Sequence, residues 1–253
     1  TRERYMNYKM LNFYMLNNYD KMGKIHNKSH TKPDKQFSII PTVLKLAGDL
    51  NNKTIIDVGC GDGFFAVNFA ENAFKVYGID NSKEQLNEAE KNKKKNIKFI
   101  FGNMLTVNYP KSYIINAPFI FGYLETKDEL KKLLTKFFES LEKKGKVIGI
   151  IDNPKSLVYD NKEFGSIKIV KADELKEGVP IDIELYNNNK KLVTLHAFYH
   201  TKETIESILR EIGFKEITWH KPIISEEGIN IKGKDFWERY LERCDLAYFT
   251  AEK

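Results

Sequence analysis

Cysteine is scarce in this chain: only Cys60 and Cys244 occur among 253 residues. That excludes a secreted disulfide scaffold and favours a reducing compartment, read here as the cytoplasm. No stretch approaches eighteen apolar residues, so no transmembrane helix is expected, and Thr1–Lys24 has no continuous apolar core of the signal-peptide type. Charge of one sign is not in large excess. Lys and Arg number 41 against 35 Asp and Glu, a net +6 spread along the chain. Nucleic-acid binding is thus permitted but not indicated. The longest basic run, Lys91–Lys95, is broken by Asn92 and suits a helix C-terminus. The histidines have no companion carboxylate or cysteine cluster, so no metal site is expected. What remains is an ordinary globular balance, 42% hydrophobic and 30% charged, in a chain long enough to bury a large core.

The pattern divides the chain into four stretches of one domain: residues 1–50, 51–152, 153–200 and 201–253. In the first, Tyr5, Tyr8, Leu11, Met15 and Tyr19 recur at helical spacing. Lys21–Lys35 reads as a loop, and Phe37–Leu50 as a helix. From Thr54 strands alternate with helices: strands at 54–58, 75–79, 96–101, 113–116 and 146–151, helices at 64–72, 82–93 and 127–141. That rhythm predicts an α/β fold with a doubly wound, mostly parallel sheet. Ser82 with Gln85 predicts a capping box. Residues 153–200 read as an antiparallel β insertion, with Asn187-Asn188-Asn189 as a turn because Asn tolerates positive φ. Thr201–Ile212 then reads as a helix closed by Gly213. Strands at 215–219 and 245–251, with a short helix at 235–242 between them, can pair as an antiparallel edge.

Asp57-Val-Gly-Cys-Gly-Asp-Gly63 lies between a strand and a helix, and Asp80 ends the next strand, 17 residues beyond Gly63. Glycines at 59, 61 and 63 allow a tight turn and close approach of a ligand. A carboxylate at 80 can accept both hydrogen bonds of a ribose diol. Glycine at every second position differs from the dinucleotide pattern, although an empty turn or a nicotinamide site are the alternatives. The segment resembles motif I of class I S-adenosylmethionine (SAM) methyltransferases. The resemblance implies a Rossmann-like seven-stranded sheet with an antiparallel last strand, an N-terminal helical cap, and SAM as cofactor, leaving as S-adenosylhomocysteine. Asp57, Gly59, Cys60, Gly61 and Gly63 would then hold the amino-acid end of SAM, with Asp57 near its ammonium. Asp80, Asn81 and Gln85 would line the ribose and adenine. Asn103 and Met104 would face the adenine. Asn116 and Ala117 would lie beneath the transferring methyl.

Asn116-Ala-Pro-Phe119 also resembles, degenerately, the Asn-Pro-Pro-Phe box of amino-group methyltransferases. Phe198-Tyr-His-Thr-Lys-Glu-Thr204, Gly213-Phe214, Trp219-His-Lys-Pro222, Ser225-Glu-Glu-Gly228, Asp235-Phe-Trp237, Asn116–Tyr123 and Tyr19-Asp20 are similar to toxoflavin synthase-like small-molecule methyltransferases. That similarity implies methyl transfer to N or O of a small aromatic or heteroaromatic molecule by in-line displacement. Phe119 and Tyr123 follow the fourth strand at the carboxyl end of the sheet, where α/β sites lie, and with Tyr14 and Tyr19 they are the candidate substrate residues. Alternation along 191–200 puts Thr194, His196, Phe198 and His200 on one face. His196 and His200 are therefore candidates for a base or for substrate positioning, with structural roles as the alternative; His26, His30 and His220 are the other imidazoles. A methyltransferase of nucleic acid or protein, and a non-catalytic SAM-binding protein, are the competing readings.

Overall fold

In the computed structural model, residues 17–253 are described. Tyr14, and the tyrosine and leucine stripe before it, lie outside them. The expected seven-stranded sheet is present, in the order β10-β11-β5-β4-β1-β2-β3. Its strands are β1 (Thr54–Val58), β2 (Lys75–Asp80), β3 (Ile97–Phe101), β4 (Ser112–Pro118), β5 (Leu141–Asp152), β10 (Lys215–His220) and β11 (Leu246–Glu252). β1 through β5 pair in parallel. β11 runs antiparallel to both β5 and β10, so the two final strands form the expected antiparallel edge.

The central strands are buried on both faces, which requires near-continuous apolar runs. Ile55, Ile56, Ile114 and Ile115 are at most 1% exposed. One face carries α5 (Lys127–Ser140) and α6 (Lys202–Ile212). The other packs against α2 (Ile40–Ala47) and α3 (Phe64–Phe69). α5 starts at a complete capping box, Thr126 with Glu129. α4 (Lys83–Lys91) has only half of the box expected for it. Ser82 accepts from the Gln85 amide, but the Ser82 amide donates to Asp80, and the Gln85 side chain lies against Gly23.

A second sheet, antiparallel, has the order β6-β7-β8-β9. It comprises β6 (Val158–Asn161), β7 (Ser166–Val170), β8 (Pro180–Asn187) and β9 (Lys190–Phe198). Asn188 and Asn189 take φ of 49° and 60° at the β8–β9 turn, as their composition predicts. β6 escapes sequence reading because it is a four-residue strand with exposed residues at its start.

The stretch 21–35 corrects the sequence expectation. It is not a loop but α1 (Tyr19–His26) followed by a 3-10 turn at Asn27–Thr31 and a π-helical turn at Lys35–Ile39. α7 (Glu226–Lys232) was likewise not anticipated. It is capped by Ser225 and precedes α8 (Lys234–Glu242); its internal Gly228 makes room for Phe37 and Trp237. α1 is tied to both halves of the molecule. Asp20 accepts from Ser82 Oγ at 2.6 Å and from the Glu84 amide at 3.2 Å. Asn17 exchanges hydrogen bonds with the backbone of His196. The cap and the second sheet thus stand over the carboxyl ends of the parallel strands. Among the described residues no helix is long and apolar enough to cross a membrane.

Candidate active site

β2 and β3 lie to one side of β1, and β4 and β5 to the other. The crevice outside this switch point is where doubly wound sheets bind ligands. It opens here into a cavity of about 290 Å³. Three parts of the chain line it: the strand ends with their loops, the helical cap, and the second sheet.

The glycine loop forms one wall. Gly59 and Gly61 have φ of 67° and 54°, and a Cβ on Gly59 would come within 2.6 Å of Ile120. The Gly59 and Cys60 amides both donate to the Ile79 carbonyl, which clamps the loop to the end of β2. Asp80 follows at once. Its Oδ2 accepts from the Gly61 amide and its Oδ1 from the Ser82 amide, each at 2.8 Å. Burial raises its carboxyl above the ordinary range, and those amides oppose the shift. Gly59, Cys60, Gly61, Asp80, Asn81, Gln85, Asn103 and Met104 all line the cavity. Asn103 Oδ1 also accepts from the Leu105 amide at 2.8 Å. Burial pushes the Cys60 thiol well above its ordinary range, so it is a packed group and not a nucleophile.

Asp57, Gly63, Asn116 and Ala117 are placed differently: they do not line the cavity. The β1–β4 register sets Asp57 beside Asn116, and Asn116 Nδ2 donates to Asp57 Oδ1 at 2.8 Å. Both are fully buried. Burial pushes the Asp57 carboxyl up to about 7, with the Asn116 bond opposing. The pair braces the loop from behind. Asn116 Oδ1, the acceptor that the amino-methyltransferase box would use, has no partner in this pairing, but Asn116 does not line the cavity.

The remaining walls carry the aromatics. Tyr19, Phe119 and Tyr123 line the cavity. The two phenol oxygens lie 2.6 Å apart. Burial, then Tyr123, raises the Tyr19 phenol well above its ordinary range, and burial pushes Tyr123 up to about 12. At neutral pH both are therefore protonated; one O–H is spent on the bond between them, and the other remains to donate into the cavity. From Tyr123 a line of rings continues through Tyr19, His26 and His30 to Phe64, where His30 stacks at 4.1 Å.

His196 and His200 do not line the cavity. From β9 the cavity is lined by Leu195 and Ala197 of the opposite face and by Phe198 of the face read in the sequence, so that face contributes its aromatic residue and not its two imidazoles. The residues that point into a largely apolar space are the apolar ones. His196 Nδ1 meets Asp182 at 2.7 Å. His200 bridges Glu177 and the Leu124 carbonyl, both at 2.7 Å. Burial raises Glu177, but hydrogen bonds from His200 and the Thr201 amide outweigh it and bring the carboxyl down to about 2. The imidazoles at the cavity are His26 and His30. Burial lowers both, His26 to about 3, so they are neutral at pH 7. They continue, at seven and eleven residues beyond Tyr19, the helical stripe read in the sequence up to that tyrosine; the stripe was the signal that was missed.

No sequence signal marks the far end of the cavity. Lys168 of β7, 1% exposed, lies 2.8 Å from Asp152 Oδ1 and 3.2 Å from Asp245 Oδ1 and donates to the Asp245 carbonyl at 2.7 Å. Lys32 pairs with Asp34 at 3.4 Å. All of these residues line the cavity, and among the described residues no group of three or more His, Cys, Asp or Glu is arranged to hold a metal.

The methyltransferase-domain family matches residues 49–213 of the chain. The chain belongs to that family. This methyltransferase is 28% identical, over 81% of its length and 86% of the relative's, to a demethylmenaquinone methyltransferase of Lactococcus lactis. Over 50% of its length and 51% of the relative's it is 32% identical to ribosomal RNA small subunit methyltransferase A of Mesomycoplasma hyopneumoniae. In fold it is similar to a SAM-dependent methyltransferase of Mesorhizobium loti, with a TM-score of 0.62 at 15% identity, covering 89% of this chain and 100% of the other. A SAM-dependent methyltransferase of Clostridium acetobutylicum gives 0.56 at 16% identity, covering 84% and 89%. The enzyme's cofactor is SAM, and the residues fit it. The loop carries glycine where a Cβ would crowd Ile120, and a carboxylate capable of gripping a diol stands directly against that loop.

Proposed function

We propose that this enzyme methylates N or O of a small aromatic or heteroaromatic molecule, in the manner of the toxoflavin synthase-like enzymes that its short motifs resemble. The observation that carries this reading is the roof of the cavity. α1 is fastened to Ser82, and Asn17 just before it to β9, so the space beyond the cofactor wall is roofed. Its lining of Phe119, Leu195, Ala197 and Phe198 suits a flat apolar ring.

Gly59, Gly61, Asp80, Asn81, Gln85, Asn103 and Met104 are the residues that would hold SAM, which when bound supplies an activated methyl group. The protein then needs chiefly to hold the nucleophile in line, which is the main catalytic contribution in such a reaction. The Tyr19–Tyr123 pair supplies one donor at one edge of the substrate. Asp152 supplies an acceptor. Its Oδ1 is held by Lys168, while its Oδ2 has no partner among the described residues and Asp152 lines the cavity. A substrate N–H or O–H directed at Asp152 leaves its lone pair free to face the methyl donor. His26 and His30 are held neutral and contribute shape and hydrogen bonding. The two free cysteines suit a reducing, cytoplasmic setting.

The ribosomal RNA relative favours a second reading, methyl transfer to a nucleic-acid amine. One assay separates them: transfer of radiolabelled methyl from SAM to a panel of hydroxylated and amino-substituted heteroaromatics, and to total RNA. Labelling of ring compounds that is insensitive to salt supports the small-molecule reading. Labelling of RNA alone, falling steeply with salt, defeats it.

A further inference from the structure

The loop side of the cavity carries two carboxylates, Asp62 and Asp80, with Asp57 buried behind the loop. A bound SAM brings to this place the zwitterion of its amino-acid end, whose α-carboxylate needs a cation. Three lysines line the cavity, Lys32, Lys35 and Lys168. Lys32 and Lys168 are already neutralised by Asp34, Asp152 and Asp245. Among the described residues no carboxylate lies within ion-pair distance of Lys35, whose Nζ sits 4.9 Å over the ring of Phe64. Phe64 is the first residue of the helix that leaves the loop. Lys35 itself is carried on the π-helical turn 35–39, a distortion that often marks a functional position. Beside it Asp62 is fixed by His30, whose Nε2 meets the two carboxylate oxygens at 2.9 and 3.0 Å.

We propose that Lys35 is the cationic half of a zwitterion clamp, taking the α-carboxylate of SAM, with Asp62, held in place by His30, facing the α-ammonium. The inference rests on the SAM reading of the loop and extends it to the helical cap. It makes the cap part of the cofactor site as well as the lid of the substrate chamber. A half-buried ammonium without a counter-ion is destabilising, and a bound carboxylate relieves that cost. Burial and Lys32 push the free Lys35 ammonium down to about 8, against the pull of Asp62, Asp34 and Asp57, which is the behaviour of a site awaiting an anion.

The test is calorimetric titration of three ligands: S-adenosylhomocysteine, its decarboxylated form, and 5′-methylthioadenosine, which lacks the whole amino-acid end. The wild type is expected to bind S-adenosylhomocysteine about tenfold or more tighter than the decarboxylated form, the size of one charge-assisted hydrogen bond. Lys35→Met is expected to remove that preference and leave methylthioadenosine affinity unchanged, and Lys35→Arg to restore most of it. Equal affinity of the wild type for the first two ligands overturns the clamp, and does so without any variant having to fold. Equal weakening of all three ligands by Lys35→Met also overturns it. Binding of none of the three by the wild type removes the SAM reading beneath it, an outcome distinct from the other two.

Discussion

The two ends of the cavity are built on different plans. The cofactor end is made of neighbours in sequence. Gly59, Gly61 and Asp80 come from one strand–loop–helix–strand unit, and their contacts are backbone hydrogen bonds repeated at short range. The end we assign to the substrate draws Tyr19, Phe119, Asp152, Lys168, Leu195 and Asp245 from six separate stretches. A ligand shared by many enzymes can be met by a compact local device. A specific substrate is met by a chamber that only folding assembles.

That contrast predicts opposite failures when each end is cut. The largest effect is expected at the substrate end, on stability. Lys168→Met leaves the buried Asp245 and the half-buried Asp152 without their cation and should cost about 3–5 kcal/mol, seen as a Tm lower by about 10 °C in a chain of this size. An unchanged Tm would mean that the ion cluster is not the keystone it resembles. At the cofactor end the expected effect is on binding. Asp80→Ala should weaken S-adenosylhomocysteine by about a hundredfold, the loss of two hydrogen bonds to a charged group, measured by calorimetry. Micromolar-range affinity that survives the change would remove Asp80 from the site.

A smaller effect separates the cap from both ends. The folded-state pKa of His26 is lowered to about 3, below its value of about 6.5 in an unfolded chain. Unfolded chains therefore take up a proton that the folded protein refuses, and stability falls as the pH drops from about 6.5 toward 3. His26→Phe should flatten that part of the stability–pH curve relative to the wild type in denaturant titrations. Parallel curves would show that the imidazole is not so enclosed. The smallest effect is expected at His196, outside the chamber. His196→Ala should leave kcat/KM within about threefold of wild type, since the side chain meets Asp182 and not the cavity. A loss of a hundredfold would restore it to the reaction.

Much of the scaffold was legible. Apolar runs of five or six residues marked the parallel strands, because those strands are covered on both faces. Three asparagines marked the β8–β9 turn, because two of them had to take positive φ. The capping of α4 was only half legible: Ser82 does its part, but Gln85 is drawn to Gly23 by a helix more than fifty residues away. The histidines show the limit most clearly. Alternation put His196 and His200 on a common face, yet no rule of alternation says which face of β9 meets the cavity. His26 and His30 lay within a stretch whose lysines and asparagines hid its helical period.

By itself, then, the sequence determined the alternation of strands and helices from Thr54 to Asp152 and the glycine bend with the acid beside it. These depend on backbone conformation and on burial patterns that repeat every two or four residues. Only the tertiary structure decided which side chains line the cavity, which lysine there lacks a counter-ion, and that Asp57 and Asn116 pair with each other behind the loop. Those are questions of which side chains distant elements bring together, and such pairings are settled by packing and desolvation across the whole fold.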